Sequence, residues 1–155
     1  MDEFIDTYSD DLITIIEGRE ALLTHPLRSE ISDLVDASTC RLFLVSMIGS
    51  IEAMLESWMD RDSMKILEKY FAKKVKNGDR IHSLKQAFID NDINVKEEVF
   101  NDYLAAKYLR NRIVHASWKN QSGKPVQHEI DWIEERGFVT DTRKLTSDHL
   151  QRFEW

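Results

Sequence analysis

The sequence predicts an all-α protein with a single domain, and three observations support this fold class. The 155 residues include only 5 Gly and 2 Pro, which are few turn-forming residues for a sheet-rich fold. Apolar residues recur at spacings of three and four along most of the chain, as in amphipathic helices. A hydrophobic content of 42% with 32% charged residues is typical of a globular protein with one core.

The first half of the chain is expected to contain two helices and a short element between them. Apolar residues at helical spacing occupy residues 4–16, and this helix should stop before the "THP" that follows. The short element covers residues 27–35. Ser38 and Thr39 then resemble an N-terminal cap, and residues 42–59 are apolar on nearly every side. This second helix should therefore be the central, buried one.

Three more helices are expected before residue 119. One covers residues 64–71 and ends at "NGD", and the next covers residues 81–88 and ends at the polar loop "DNDIN". The third carries apolar residues from Val99 to Ile113, includes the stretch at residues 110–117, and is broken by "KNQSGKP" at residues 119–125. Residues 119–155 lack a clean period, so we expect a less regular C-terminal extension of the single domain 1–155, with a short helix or a strand pair.

Composition also predicts the compartment. Cys40 is the only cysteine, so an internal disulfide and a paired-thiol metal site are excluded, and a reducing cytoplasm fits. The acidic start "MDEFIDTYSDD" lacks the charge order of a signal peptide. The uncharged run at residues 42–51 is too short to span a bilayer. We therefore expect a soluble cytoplasmic protein that does not bind membranes.

Charge is distributed unevenly along the chain. The formal net charge is −7, which by itself disfavours nucleic-acid binding, yet residues 103–128 contain no Asp or Glu. This segment predicts an RNA-binding patch, although burial of part of it would also exclude acids. Tyr103, Tyr108 and Trp118 are placed to stack on bases, but aromatic residues of amphipathic helices more often belong to the core. The basic residues of the segment are Lys107, Arg110, Arg112, Lys119 and Lys124.

A candidate catalytic motif, "RNRIVH", lies inside this segment at residues 110–115. The pattern of an arginine, four to six intervening residues and a histidine also occurs at Arg19 to His25 and at Arg143 to His149. About one such match is expected by chance in this composition, so spacing alone identifies no site. The middle occurrence differs because a small polar residue, Asn111, follows the arginine and because the surroundings are basic. It is the occurrence that we select.

This motif resembles the signature of the HEPN superfamily. The apolar stretch "FLVSMIGSIEAMLESW", residues 43–58, is similar to the buried helix that precedes the motif in that family, with Glu52 as its acidic residue. The resemblance covers most of residues 1–118. It implies a HEPN-like helical bundle that forms a homodimer with both motif helices near the two-fold axis, and a ribonuclease site.

Histidine and arginine suit RNA cleavage that needs no metal or other cofactor. His115 titrates near neutral pH, so it can take the 2′-hydroxyl proton or protonate the departing 5′-oxygen. Arg110 offers a fixed planar cation for charge that builds on phosphorus. On a straight helix the two lie about 140° apart, whereas Asn111 and His115 share a face. Asn111 can therefore orient the imidazole, while Arg110 must swing round, use a helix irregularity or come from a second chain.

Glu52 is expected to support the site rather than to react. It lies on an apolar helix face, where a buried carboxylate needs a partner, and anchoring an arginine such as Arg110 would supply one. The histidines show no zinc-ligand spacing, and the chain has no glycine-rich phosphate loop. In one toxin branch of the family a tyrosine follows the histidine by two residues and is modified by a partner enzyme, but Ser117 occupies that position here.

Two functions remain open from the sequence. The first is a metal-independent endoribonuclease, such as a toxin or defence effector restrained by an antitoxin or another regulatory protein. The second is a catalytically inactive HEPN-like module that serves dimerisation or binds RNA or a nucleotide.

Overall fold

Every regular element that the computed structural model describes is helical. The described residues are 2–25, 32–59, 65–115 and 126–153, and they contain no strand, which confirms the all-α prediction. The α-helices are α1 (Asp2–Thr24), α2 (Ser32–Trp58), α3 (Ile66–Phe71), α4 (Asn77–Asp90), α5 (Glu97–His115), α6 (Gln127–Glu135) and α7 (Ser147–Leu150), and short 3-10 helices cover Thr142–Lys144 and Gln151–Phe153.

Helix α2 is longer than the sequence pattern predicts. The expected cap residues lie inside it, because the helix already begins at Ser32. Thr39 donates its hydroxyl proton back to the carbonyls of Val35 (2.9 Å) and Asp36 (3.0 Å), which satisfies the side chain without ending the helix. The separate element at residues 27–35 and the start at residue 42 were therefore wrong for the described part of this stretch.

The core is centred on α2 and α5, which pack against each other. Helix α1 packs on α2, and Arg19 joins them through an ion pair with Asp36 whose Nε to Oδ1 distance is 2.6 Å. Apolar side chains from α2, α5 and the C-terminal region meet in one cluster. This burial provides the main stabilising free energy of the fold. The largest apolar residues with no solvent exposure are Leu44, Ile48, Leu109, Ile133 and Leu145.

Helices α4 and α5 form an antiparallel pair. Near their connecting loop Lys85 forms an ion pair with Glu97, and at the other end a Cβ at Gly78 would lie 3.7 Å from the hydroxyl oxygen of Tyr108. The beginning of α4 therefore lies against the second half of α5. The prediction that "NGD" ends a helix was wrong, since α3 stops at Phe71 and Asn77 begins α4.

The C-terminal region is more regular than expected. Helix α6 replaces the undecided helix or strand pair, and it ends in a turn at Gly137, whose φ is +74°. Asp102 of α5 accepts hydrogen bonds from Arg136 (2.8 Å to Nε) and Arg152 (3.3 Å), and these contacts attach the region to the bundle. The predicted break at "KNQSGKP" lies outside the described residues.

Helix α2 is long and apolar enough to span a membrane by length and composition alone. Its 27 residues exceed the short uncharged run on which the sequence argument depended. Central helices of soluble proteins meet the same criterion, and a third of the most apolar window of α2 is buried in this fold. The length and apolar composition of α2 therefore do not decide where the protein is located, and cytoplasmic localisation stays a prediction.

Candidate functional site

The guanidinium of Arg110 is held by two neighbours. Its Nη2 donates to a carboxylate oxygen of Glu52 on α2, and its Nη1 donates to Oδ1 of Asn111 at 3.2 Å. The Arg110 and Glu52 side chains are 21% and 26% exposed, so the pair lies at the edge of the core. The expected ion pair between Glu52 and Arg110 is thus present, and it fixes the direction of the arginine.

Lys107 occupies the buried side of the same carboxylate. Its Nζ donates to Oε1 of Glu52 at 2.6 Å and to the hydroxyl oxygen of Tyr70 at 2.8 Å. The residue is only 2% exposed, so its charge is enclosed by protein. The prediction that Lys107 contacts RNA was therefore wrong, because a phosphate cannot reach an ammonium that the core covers.

Two tyrosines extend this network into the core. The hydroxyl oxygens of Tyr70 and Tyr103 lie 3.0 Å apart, and both residues are buried. Burial, together with the neighbouring Tyr70, raises the pKa of Tyr103 well above its ordinary value. Tyr108 is also buried, so the core interpretation of Tyr103 and Tyr108 is confirmed. Residues 103–109 of the acid-free segment are all buried, which agrees with the alternative that burial excludes acids there.

The sequence argument named Lys107 only as an RNA contact and did not predict its ion pair with Glu52, and it did not name Tyr70 as part of the site. Lys107 precedes Arg110 by three residues on one helix, so both side chains lie on one face and can meet one carboxylate on a neighbouring helix. That spacing was visible in the sequence. The position of Tyr70, 37 residues earlier in the chain, was not.

Arg112 of α5 is close to two acidic residues of α6, Glu129 and Glu134. Its Nε and Nη1 atoms are inaccessible to solvent, and burial lowers its pKa to about 10 while Glu129 and Glu134 act in the opposite direction. Burial also raises the pKa of Glu129. Two of the three guanidinium nitrogens of Arg112 are thus enclosed by protein, and the predicted contact between Arg112 and RNA stays a prediction.

His115 is the last residue of α5, which is α-helical without interruption from Glu97. A helix irregularity therefore does not bring Arg110 and His115 together, and a swing of Arg110 or a second chain stays as the expected route. The side chain of His115 lies outside the part of the chain that the structure describes. Trp118, Lys119 and Lys124 lie outside it as well, so their predicted RNA contacts stay predictions.

The other two arginine and histidine pairs have structural contacts. Arg19 binds Asp36 and also donates to the hydroxyl of Ser147 at 3.0 Å. Arg143 is paired with Asp141. The backbone N–H of Thr146 donates to Nδ1 of His149 at 3.1 Å, which caps α7. Arg110 is paired as well, so these contacts do not discriminate between the three occurrences, and the selection of the middle one stays a prediction.

Comparisons with models of known protein families, with curated proteins and with solved structures find no match for this chain. Within the described ranges, no group of three or more histidine, cysteine or carboxylate side chains is placed to hold a metal ion. The site is therefore defined by its residues: a held arginine beside an asparagine, five residues before a histidine at the end of the same helix.

Proposed function

We propose that this protein is a metal-independent endoribonuclease whose site is formed by Arg110, Asn111 and His115. The observation that carries the proposal is the held guanidinium of Arg110. A cation fixed by Glu52 and Asn111 is already oriented before substrate binds, and such preorganised charge is the main source of transition-state stabilisation in many enzymes.

Arg110 keeps hydrogen-bonding capacity for a substrate. A guanidinium has five N–H donors, and the contacts with Glu52 and Asn111 use two of them. The remaining donors suit the oxygens of one phosphate. Glu52 also binds Lys107, so its single negative charge is shared between two cations and does not fully neutralise the arginine.

In the proposed reaction the 2′-hydroxyl oxygen attacks the adjacent phosphorus. His115 takes the hydroxyl proton, Arg110 stabilises the charge on the phosphoryl oxygens, and the bond to the 5′-oxygen breaks. That oxygen receives a proton as it leaves, and in the proposed dimer the protonated His115 of the second chain supplies it. The products are a 2′,3′-cyclic phosphate and a 5′-hydroxyl.

The decisive experiment measures cleavage of a structured RNA panel by the parent protein, Arg110→Ala and His115→Ala. We expect loss of about 10²- to 10⁴-fold for His115→Ala, because that is the usual contribution of a general acid or base. The matched controls are Arg143→Ala, whose side chain is 84% exposed, and His82→Ala, which is also exposed. Both controls should cleave at the parental rate.

Three further results are expected from the parent protein. Cleavage should survive excess chelator, it should stop on RNA whose 2′-hydroxyls are methylated, and specific activity should fall on dilution below the dimerisation constant. A requirement for magnesium, equal cleavage of DNA, or parental activity in His115→Ala would each exclude this mechanism.

The inactive module is the second candidate, and the ion pair between Arg110 and Glu52 is equally compatible with it. A paired arginine can serve structure alone, with RNA or a nucleotide bound nearby and no bond broken. Complete absence of cleavage with salt-sensitive RNA binding would support this candidate over the enzyme.

A further inference from the structure

A second basic stretch lies outside the motif, between residues 65 and 85. It contains seven Lys or Arg residues and two acidic ones, in a chain whose net charge is −7. We name residues 72–76, which connect α3 to α4, the lysine loop. Its lysines, Lys73, Lys74 and Lys76, are all exposed, and none of them forms an ion pair with a described residue.

The backbone of the lysine loop is held in place. Arg80 donates from Nε to the carbonyl of Val75 and from Nη2 to the carbonyl of Ala72, both at 3.1 Å. Lys74 has a φ of +67°, in the left-handed region that a lysine rarely adopts. Such a conformation costs about 1 kcal/mol or more, so the surrounding contacts must maintain it. The exposed lysines therefore project from a fixed turn.

Helix register places the lysine loop at the same end of the bundle as the candidate site. Gly78 lies against Tyr108, and α4 and α5 are antiparallel. Moving from Gly78 back toward the loop therefore follows the same direction as moving from Tyr108 toward Arg110. The hydrogen bond between Tyr70 and Lys107 brings the end of α3 to the same region.

The candidate site needs additional positive charge if it binds a polyanion. Of its described basic residues, Lys107 is buried, Arg110 shares Glu52 with it, and Arg112 exposes little of its guanidinium. The lysine loop supplies accessible charge next to this region, and phosphate binding depends on such charge.

We propose that the lysine loop binds phosphate groups of the RNA strand that occupies the site around Arg110. The identity of the ligand as RNA rests on the proposed function. Contacts by lysines position a strand without reading its sequence, so the loop would hold RNA of any sequence across the site.

The test compares Lys73→Gln/Lys76→Gln with Lys96→Gln/Lys144→Gln, a control that removes the same charge from two other exposed lysines. Lys96 directly precedes α5, at the opposite end of the α4–α5 pair. The probe is a fluorescent single-stranded RNA of about 20 nucleotides with methylated 2′-hydroxyls, and binding is followed by anisotropy at several salt concentrations.

A phosphate contact on a single strand contributes a salt slope of about 0.7, or roughly fivefold in affinity between 1 M and 0.1 M salt. The loop variant should therefore bind roughly 25-fold more weakly than the parent at 0.1 M salt, with a slope lower by about 1.4. The control variant should bind within about twofold of the parent. Lys96 lies at the far end of the α4–α5 pair, and Lys144 lies two residues after Thr142, whose carbonyl accepts from Arg41, about 16 Å along α2 from Glu52.

Equal binding by the two variants would overturn the inference, as would a parent protein that does not bind the probe. The inference would also be overturned if the loop variant lost binding to anionic lipid vesicles but bound the RNA probe as tightly as the parent. The experiment distinguishes failure of the lysine-loop proposal from failure of the ribonuclease proposal. If the parent protein cleaves RNA and the loop variant binds the RNA probe as tightly as the parent, only the ribonuclease proposal is retained. If the loop variant alone loses RNA binding and the parent protein does not cleave RNA, only the lysine-loop proposal is retained.

Discussion

The partly exposed carboxylate of Glu52, which is the counterion of the buried Lys107, allows the sharpest test of how the site is held. In Glu52→Gln the ammonium of Lys107 keeps an amide oxygen and the Tyr70 hydroxyl as acceptors but loses its counterion. The Lys107 side chain is 3% exposed, so water cannot replace the lost interaction. Removing one partner of a buried ion pair costs about 3–5 kcal/mol.

The lower end of that range is expected here. The Glu52 side chain is 26% exposed, and Arg110 is near enough to solvent to be hydrated once its partner is lost. We therefore expect the free energy of unfolding to fall by about 3 kcal/mol, which is a large part of the roughly 5–15 kcal/mol typical of a domain. For a chain of this size the melting temperature should fall by about 6–12 °C.

Two further variants make the argument specific to the ion pair. Glu56→Gln lies one turn along α2 at an exposed position and should change stability by less than about 0.5 kcal/mol. Glu52→Gln/Lys107→Met removes both charges, so it should cost at least about 1 kcal/mol less than the sum of the two single variants.

Urea unfolding followed by far-ultraviolet circular dichroism measures five proteins: the parent, Glu52→Gln, Lys107→Met, Glu56→Gln and the double variant Glu52→Gln/Lys107→Met. A loss below about 1 kcal/mol in Glu52→Gln, or strict additivity in the double variant, would refute the reasoning, because either result means that the Lys107 charge does not depend on Glu52.

Two other predictions concern the C-terminal region. Gly137→Ala should lower the free energy of unfolding by about 1–2 kcal/mol, because the φ of Gly137 is +74°. The control Gly18→Ala lies inside α1, where a Cβ meets no other atom, and it should raise the free energy of unfolding by up to about 1 kcal/mol. Equal effects of the two substitutions in urea unfolding would contradict this prediction. Hydrogen bonds from Arg143 lower the pKa of Asp141 to about 2, so Arg143→Ala should return it toward the usual value of about 3.9. Because the folded-state pKa is depressed, this contribution to stability is present above pH of about 4 and is lost as the pH falls to about 2. Titration of Asp141 by nuclear magnetic resonance tests the shift, and an unshifted pKa in the parent would exclude it.

Local sequence patterns predicted most helices because helical periodicity is a local property. The apolar spacing gave the extent of α1, α4 and α5 to within a few residues, since each helix buries one stripe of its own surface. The same patterns failed at Ser38 and Thr39 and at "NGD", where a cap-like or turn-like residue is compatible with two structures. Packing of α2 on α1 and of α4 on α5 decided those positions.

The candidate site divides in the same way. The sequence by itself determined that Arg110, Asn111 and His115 belong to the end of one helix and that a carboxylate on the apolar face of α2 needs a cationic partner. Only the tertiary structure decided that Lys107 shares this carboxylate and is removed from solvent, and that the exposed lysines lie in the connection before α4. The reason is distance along the chain: Glu52 meets Lys107 across 55 residues, and a pattern within one helix cannot specify which face of another helix it will contact.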